Sequence, residues 1–481
     1  MADVEAARRA LEDALGPSEV LSDPLALALY ARDASMVEGG CALVAFPREL
    51  EHIVACVRIA GEHGLPIVPR GAGTGLAGGA TPVGDALVVV TTKMDRILEI
   101  RSRDRLAWVQ PGVVNLDLVE AAAPHGLTFA PDPSSQQSST IGGNVATNAG
   151  GPHCLAHGVT SNHVLALDVV LPDGSVERLG SEAPAAAGYD LRAVVVGSEG
   201  TLGIVAAACV RLVPLPAAVR TLLLDFDTVE DCAATVSGVI ASGVVPGAME
   251  MMDRGIVVAA EAFAHAGYAT DAAAVLLVEV EGAAGAVEPE VAVVEAAARA
   301  NRARSIRVAA DEDERARLWK GRKNAFGAIG IIAPHYSLHD IVVPRTRLVE
   351  AVTRLYAIGR RHGLVLTCIL HAGDGNLHPH LHFDAREPGT RERAAAAGED
   401  IVRLAVVLGG SISGEHGVGL EKRAFMPLVL SADDLTAQAC VRAAFDPDGR
   451  MNPEKVLPAG TRCEELSRAA PTVGGPEAGW S

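Results

Sequence analysis

Pro131-Asp-Pro-Ser-Ser-Gln-Gln-Ser-Ser-Thr-Ile-Gly-Gly-Asn-Val-Ala-Thr-Asn-Ala-Gly-Gly151 holds one charge in twenty-one residues and is otherwise rich in hydroxyls, amides and glycines. That is the chemistry of a surface that hydrogen-bonds a polar cofactor through many backbone contacts. A flexible linker would share the small residues, but not the interleaved Ile141, Val145 and Ala146, nor the prolines. Upstream, a short strand expected at Leu65–Pro69 delivers a glycine loop, Pro69-Arg-Gly-Ala-Gly-Thr-Gly-Leu76. A Rossmann fingerprint would need glycine at 76, where leucine stands, and a Walker loop would need a lysine that the loop lacks. What remains is backbone amides free of Cβ, able to approach a phosphate and form an anion-binding nest. Alone, a tight turn would account for this loop as well; the uncharged tract changes the weighting. A third segment, Gly197-Ser-Glu-Gly-Thr-Leu-Gly-Ile-Val205, again places glycines where the chain passes close to something.

Hydrophobic periodicity arranges elements around these segments. A helical stripe at 48–63 stops at Gly64, and strand-like runs follow at Ala86–Thr91, Ile97–Arg101 and Leu106–Gln110. A helix is expected near 114–123, and Asp173-Gly174 signals a hairpin between Leu167–Pro172 and Ser175–Leu179. This first region reads as α+β, two small sheets flanking a cofactor groove. From about 220 strands alternate with helices: Thr221–Phe226 before 228–242, Ala274–Glu281 before 288–303, and Ser305–Ala309 before 312–329. Ser337–Val343 precedes a helix at 347–362, and Val365–Leu370 runs into the histidine motif described below. Helices are expected again at 390–408 and 431–445. Such alternation describes a sheet covered by helices, a separate substrate domain.

At 481 residues, two or three domains are expected, and 49% hydrophobic with 21% charged residues is ordinary for a globular enzyme. A net charge of −18 argues against nucleic acid and anionic membranes, so an anionic substrate must be drawn in by local charge. The eight cysteines contain no CxxC pair, which excludes an iron–sulfur cluster or Cys-type zinc site within the chain. They are expected to be reduced, which favours a reducing, cytoplasmic compartment. The charged N-terminus reads as an amphipathic helix, not a signal peptide. Cys232–Met249, an uncharged stretch near transmembrane length, reads as a buried helix followed by a strand, and no membrane span is expected.

The chemistry is concentrated in His371-Ala-Gly-Asp-Gly-Asn-Leu-His378 and Ser413-Gly-Glu-His-Gly417. His371, His378 and Glu415 offer two imidazoles and a carboxylate, a set that leaves coordination positions open on a divalent metal. Zn, Mn and Fe all suit it. A lone histidine here would more often be a surface or core residue; two around a tight turn, with a separate Glu-His, weigh against that. Asp374 and Asn376 are read as shaping the turn. His380 and His382 share one strand face, and neither is given a role.

The three glycine-rich segments, in this order, resemble the FAD-binding domain of the vanillyl-alcohol oxidase type flavoproteins. With the histidine motifs the likeness narrows to the branch (FAD-binding oxidase/transferase type 4) of D-lactate and D-2-hydroxyglutarate dehydrogenases and the FAD-linked subunit of bacterial glycolate oxidase. It covers about 20–460 and is strongest to the glycolate oxidase subunit, through Trp319-Lys-Gly-Arg-Lys-Asn-Ala-Phe326, Ser411–Gly417 and Ala443-Ala-Phe-Asp-Pro-Asp-Gly449. The resemblance implies an N-terminal helical segment (1–35), a two-subdomain FAD-binding domain (36–217) and a substrate or cap domain with an antiparallel sheet (218–412). A C-terminal segment (413–460) returns to the flavin, and 461–481 is a disordered tail.

It further implies FAD contacts at Pro69, Arg70, Gly71, Ala72, Gly73, Thr74, Gly75 and Leu76, and at Asp132, Ser138, Thr140, Gly143, Asn144 and Thr147. Glu199, Gly203, Ile204 and Asn452 complete that set. Some relatives attach FAD through a histidine near the glycine loop; positions 69–80 contain none, so non-covalent FAD is implied. His371, His378 and Glu415 become the metal ligands, His416 the base that takes the hydroxyl proton, and Arg322 the grip on the substrate carboxylate. Hydride from C2 would pass to flavin N5. Where hydroxyglutarate enzymes carry polar or basic groups, this chain has Phe326 and Leu338, which favours glycolate or D-lactate. Partners implied are a second flavoprotein-like subunit and an iron–sulfur subunit passing electrons to quinone, with at most peripheral contact with the inner membrane. Rival readings are a D-2-hydroxyglutarate dehydrogenase of the same branch, a metal-dependent hydrolase, which leaves 131–205 unexplained, and a non-catalytic flavin subunit, which would show a degenerate ligand set.

Overall fold

Buried on every residue, Ala86–Val90 has the uninterrupted apolar run of a strand covered on both faces. In the computed structural model, which describes residues 3–183 and 187–463, it lies between Cys41–Ala45 and Ile67–Arg70 and pairs in parallel with both. The short strand Val20–Leu21 completes this four-stranded sheet. Helix Leu50–Glu62 turns Ile53, Cys56, Val57 and Ala60 onto it, the stripe that the sequence shows. The N-terminal helix Val4–Leu15 adds Ala7, Leu11 and Leu15 to the same core. The strand Ile67–Arg70 ends at Gly71, so the glycine loop leaves the end of a sheet.

A second, five-stranded sheet is antiparallel, in the order Ile97–Arg101, Leu106–Val109, Ile204–Arg211, Val164–Val170, Val176–Gly180. The last two are the hairpin expected around Asp173-Gly174. Within the 131–151 tract, Ile141–Thr147 is a short helix not anticipated from the sequence, N-capped by Thr140 accepting from the Gly143 N–H at 3.3 Å. Gly142 and Gly143 in its first turn hide it from propensity. Burial of Ile141 and Val145 against the second sheet forms it nonetheless.

From Ala218 onward the order is Ser305–Val308, Ala218–Phe226, Ala274–Gly282, Ala248–Asp253, Val365–His371, Asn376–Phe383, His335–Leu338, with Ile341–Val342 also paired to Asn376–Phe383. Every pairing is antiparallel. Strand–helix alternation fits this because Ala248–Asp253 returns two places from Ala218–Phe226, leaving Ala274–Gly282 to run antiparallel between them. Side chains of period two then sort onto two faces. Leu222, Leu224, Met249, Met251, Cys368 and Leu370 face helices that include Val229–Ala241, Leu348–Arg361 and Thr390–Val407. Leu223, Ala248, Met252, Leu277 and Ile369 face Arg254–Ala264 and Glu312–Ala328. Glu250, two residues from Ala248 and Met252, shares this second face and sits opposite His371. His378 lies opposite Ile369 and His380 opposite Thr367, so the histidines of both strands look the same way.

The chain end returns to its beginning. After helix Ala432–Phe445, Met451 bridges to Ile67 and the Asn452 N–H donates to the Ile67 carbonyl at 2.7 Å. One expectation is corrected here: Cys440 and Cys463 are disulfide-bonded, while the other six cysteines are free. The turn after Phe445 brings their Cα atoms to 4.5 Å, a proximity invisible in scattered positions. Most of the tail expected to be disordered, 464–481, lies outside the described residues. Among the described residues no helix is long and apolar enough to cross a membrane.

Candidate active site

One cavity of about 500 Å³ runs from the glycine loop to the two histidine motifs. Its near end is built from missing side chains. A Cβ on Gly71 would stand 2.4 Å from Thr140 Oγ1, one on Gly142 2.6 Å from Pro111, and Gly73 has φ +74°. Pro69 to Leu76, Thr140, Gly143, Asn144, Thr147, Glu199, Gly203 and Ile204 all line this wall. Ser139 Oγ and Asn144 Oδ1 on the same wall are buried without a hydrogen-bond partner. Orphaned polar atoms beside bare backbone fit a dinucleotide such as FAD.

Several of the expected cofactor contacts also make bonds within the protein, and Asp132, Ser138 and Asn452 are not on the cavity wall. The Arg70 guanidinium donates to the carbonyls of Arg32 at 2.9 Å and Ala80 at 3.3 Å, fastening the loop it belongs to, although it also lines the cavity. Asn452 is absent from the cavity wall. Its Nδ2 donates to the carbonyls of Gly79 at 2.8 Å and Glu199 at 2.6 Å, stitching the chain end to two cradle segments. Asp132 turns from the cavity to the His153 ring, 2.8 Å away. Ser138 is exposed, bonded to the Ser135 carbonyl, and its neighbour Ser139 lines the wall instead. The Glu199 carboxylate accepts from the Val418 and Gly419 N–H groups at 2.7 and 2.8 Å, and burial raises its pKa to about 7.

At the far end the wall is charged. Glu415 Oε1 lies 3.0 Å from His371 Nε2 and 3.1 Å from His378 Nε2. One donor atom from each of the three residues falls within 4.8 Å of the others. Burial opposes charge on Glu415, but the flanking imidazoles hold its carboxyl well below the ordinary range. His416 stacks on His378 with ring centroids 4.8 Å apart, and burial brings its pKa down to about 4.

Two residues that the sequence reading passed over organise this cluster. Glu250, fully buried, accepts from His371 Nδ1 at 2.8 Å and pairs with the Arg322 guanidinium. The first contact fixes the His371 tautomer and leaves Nε2 facing Glu415, the usual arrangement behind a metal-ligating histidine. Arg322 is therefore 2% exposed, not on a solvated face, and its Nε has no partner among the described residues. Asp340 accepts from the backbone N–H groups of Gly414, Glu415 and His416 and from Lys422 Nζ at 3.0 Å. Against burial, Lys422, His416 and His378 hold its carboxyl far below the usual range. With its oxygens so occupied, Asp340 shapes the loop, although one of them also lies within 4.8 Å of donor atoms of His378 and His416. An acid inside Met249-Glu-Met-Met was the available signal for Glu250, since a carboxylate in a buried apolar run requires a cation opposite.

The donor set fits a divalent cation: His371 and His378 through Nε2 and Glu415 through a carboxylate oxygen. A second group, His153 with Glu279 and Glu281, is saturated by protein contacts. His153 joins Asp132 to Glu279 at 3.2 Å and stacks on Trp319, and His157 holds Glu281 at 2.7 Å. It ties the segment after the glycine cradle to the eight-stranded sheet.

Comparison with known proteins gives two family matches: an FAD binding domain over 41–180 and the C-terminal domain of FAD linked oxidases over 215–456. The chain is 45% identical to the glycolate oxidase subunit GlcD of Escherichia coli K12 over 424 residues, 88% of this chain and 85% of that one. It is 32% identical to a D-lactate dehydrogenase of Anaerostipes hadrus over 417 residues, 84% of this chain and 87% of that one. In fold it matches 4-ethylphenol oxidase from Gulosibacter chungangensis, with TM-score 0.79 and 18% identity, covering 97% of this chain and 99% of that one.

Proposed function

This chain belongs to the FAD-linked oxidases and carries out FAD-dependent oxidation of a 2-hydroxy acid; from that premise we propose that its substrate is small, of glycolate or D-lactate size, and that a divalent metal takes part. The observation that supports this most directly is the single cavity holding a glycine cradle at one end and His371, His378, Glu415, His416 and Arg322 at the other. FAD bound in the cradle supplies the hydride acceptor. A cation held by His371, His378 and Glu415 supplies Lewis acidity, lowering the pKa of a substrate hydroxyl.

The remaining steps belong to side chains. Arg322, held in place by Glu250, offers its unpaired Nε to a substrate carboxylate in a water-poor pocket, where a charge-assisted bond is strong. His416 takes the C2 hydroxyl proton on an imidazole nitrogen. Phe326, Leu338 and Ile369 wall the space beyond C2, exclude water and provide no counter-charge for a second carboxylate. A partner protein would carry the electrons onward, in keeping with the relative's description as a subunit.

Anaerobic mixing of the holoenzyme with glycolate or D-lactate is expected to bleach the visible flavin bands. Glu415→Ala is expected to abolish bleaching while FAD stays bound. Retained flavin reduction in that variant would remove the metal from the mechanism, and a protein unable to take up FAD would overturn the reading of the cradle.

A further inference from the structure

His380 is fully buried on strand Asn376–Phe383, and among the described residues neither of its ring nitrogens makes a well-formed hydrogen bond. Its neighbour on the same face is half satisfied, His382 Nε2 meeting Thr367 Oγ1 at 2.7 Å while its Nδ1 has no partner among the described residues. Around His380 stand mainly aromatic faces, Phe326 and Tyr336 each with a centroid 6.0 Å away. The ring lines the active-site cavity together with Arg322, Phe326, Leu338 and Ile369. A buried imidazole without partners is costly. The ring borders the cavity with both nitrogens covered, so a small shift of the ring brings one of them to a ligand there.

Resting on the reading that this cavity binds a 2-hydroxy acid through Arg322, we infer that His380 recognises a hydroxyl on carbon 3, making the preferred substrates 2,3-dihydroxy acids, of which glycerate is the smallest. An imidazole offers a donor and an acceptor, and so does a hydroxyl, so one bond satisfies either nitrogen. A second carboxylate fits worse, because the apolar Phe326 and Leu338 line the cavity beside the ring. The reaction balances as before. The C2–H bond breaks with its electron pair passing to FAD, the C2 hydroxyl proton passes to His416, and a 3-hydroxy-2-oxo acid leaves with C3 unchanged.

The test compares racemic glycerate with racemic 2-hydroxybutyrate, equal in heavy atoms but ending in methyl, on holoenzyme loaded with FAD and Mn²⁺ or Zn²⁺. A site built around a hydroxyl rejects the analogue lacking it, so kcat/KM should favour glycerate by roughly tenfold or more. His380→Leu should collapse that ratio, and His380→Gln, which keeps a donor and an acceptor, should preserve part of it. Independently of turnover, hydroxypyruvate should bind the oxidised holoenzyme more tightly than 2-oxobutyrate, a difference lost in His380→Leu. Equal kcat/KM for the two acids in the unaltered enzyme, or an unchanged ratio in His380→Leu, overturns the assignment. If the leucine variant does not fold, the wild-type ratio and product binding still decide. Flavin reduced by glycolate or D-lactate without preference for glycerate sinks the role of His380 alone. Flavin reduced by no 2-hydroxy acid sinks the functional reading beneath it.

Discussion

The two ends of the cavity are built by opposite means. At the glycine loop the wall is backbone with side chains removed: Gly71 and Gly142 each leave space that a single methyl would fill. At the sheet face the wall is buried charge, Glu250, Glu415 and Arg322 among histidines, each group neutralised by its neighbours. A cradle of the first kind tolerates little added volume but contains few groups whose loss strands another. A cluster of the second kind is the reverse, since removing one member of a buried charge pair leaves the other uncompensated. Lesions at the two ends should therefore separate: one set loses the cofactor, the other loses chemistry with cofactor retained.

Glu250→Ala tests this most severely after Glu415. It leaves Arg322 without its counter-charge and His371 without the acceptor at Nδ1. Outer partners of metal ligands are worth about 10–100-fold, and loss of the Arg322 pair adds to that. Flavin reduction in stopped flow should slow by roughly 10²–10³-fold, with the flavin-to-protein absorbance ratio unchanged. Glu250→Gln, still an acceptor but uncharged, should fall between. Loss of FAD from either variant would break the separation.

Gly71→Ala probes the other end with a smaller effect. The new Cβ meets Thr140 Oγ1 at 2.4 Å, so the loop or the cap of helix Ile141–Thr147 must move. FAD affinity measured by titration of the apoprotein should weaken by about 10–100-fold, roughly 1.4–3 kcal/mol. At saturating FAD the rate of flavin reduction should return close to the unaltered value. Gly64→Ala is the control: its φ is +68° with nothing within 4 Å, so it introduces strain without filling the cradle. Equal loss of FAD in both would mean that strand entry, not the cradle, governs binding.

The same contrast explains what could be read from the sequence. The glycine loop, helix Leu50–Glu62, the hairpin at Asp173-Gly174 and the strand–helix units after 220 are local, written in periodicity or composition over a dozen residues. His371, His378 and Glu415 were legible because each lies in a short dense motif, and the structure brings them together. Glu250 and Asp340 were not, because their partners lie 121 residues away at His371 and 74 or more at Gly414 to His416. Asp132 and Asn452 show the same limit from the other side: the resemblance places them in the site, but only packing shows Asp132 bound to His153 and Asn452 to the wall residues Gly79 and Glu199. The helix at Ile141–Thr147 and the Cys440–Cys463 bond were hidden for a related reason, tertiary burial and chain return overriding local composition.

Asp253 sharpens the comparison within the sheet itself. It ends the strand that carries Glu250 but faces the opposite side, where its carboxylate accepts from the Cys368 N–H at 2.7 Å, the Tyr356 hydroxyl at 2.7 Å and the Ile256 N–H at 3.0 Å. No arginine or lysine pairs with it among the described residues, and burial raises its pKa to about 6. The sign follows from linkage. The folded protein keeps this proton up to about pH 6, while the unfolded chain releases it near pH 4, so folding stability is fully present at the acid end and falls as pH rises between those values. The loss is on the order of 2–3 kcal/mol as an upper bound, partly offset by the three donors. Asn at this position keeps an N-cap oxygen for helix Arg254–Ala264 and removes the titration. Urea midpoints of the holoenzyme at pH 4.5 and 7.5 should therefore converge in Asp253→Asn, even though the variant starts less stable for want of a full set of acceptors. Parallel pH dependence in the two proteins would show that this acid is compensated as well as Glu250 is, and that the charged face of the sheet is not special in how it pays for burial.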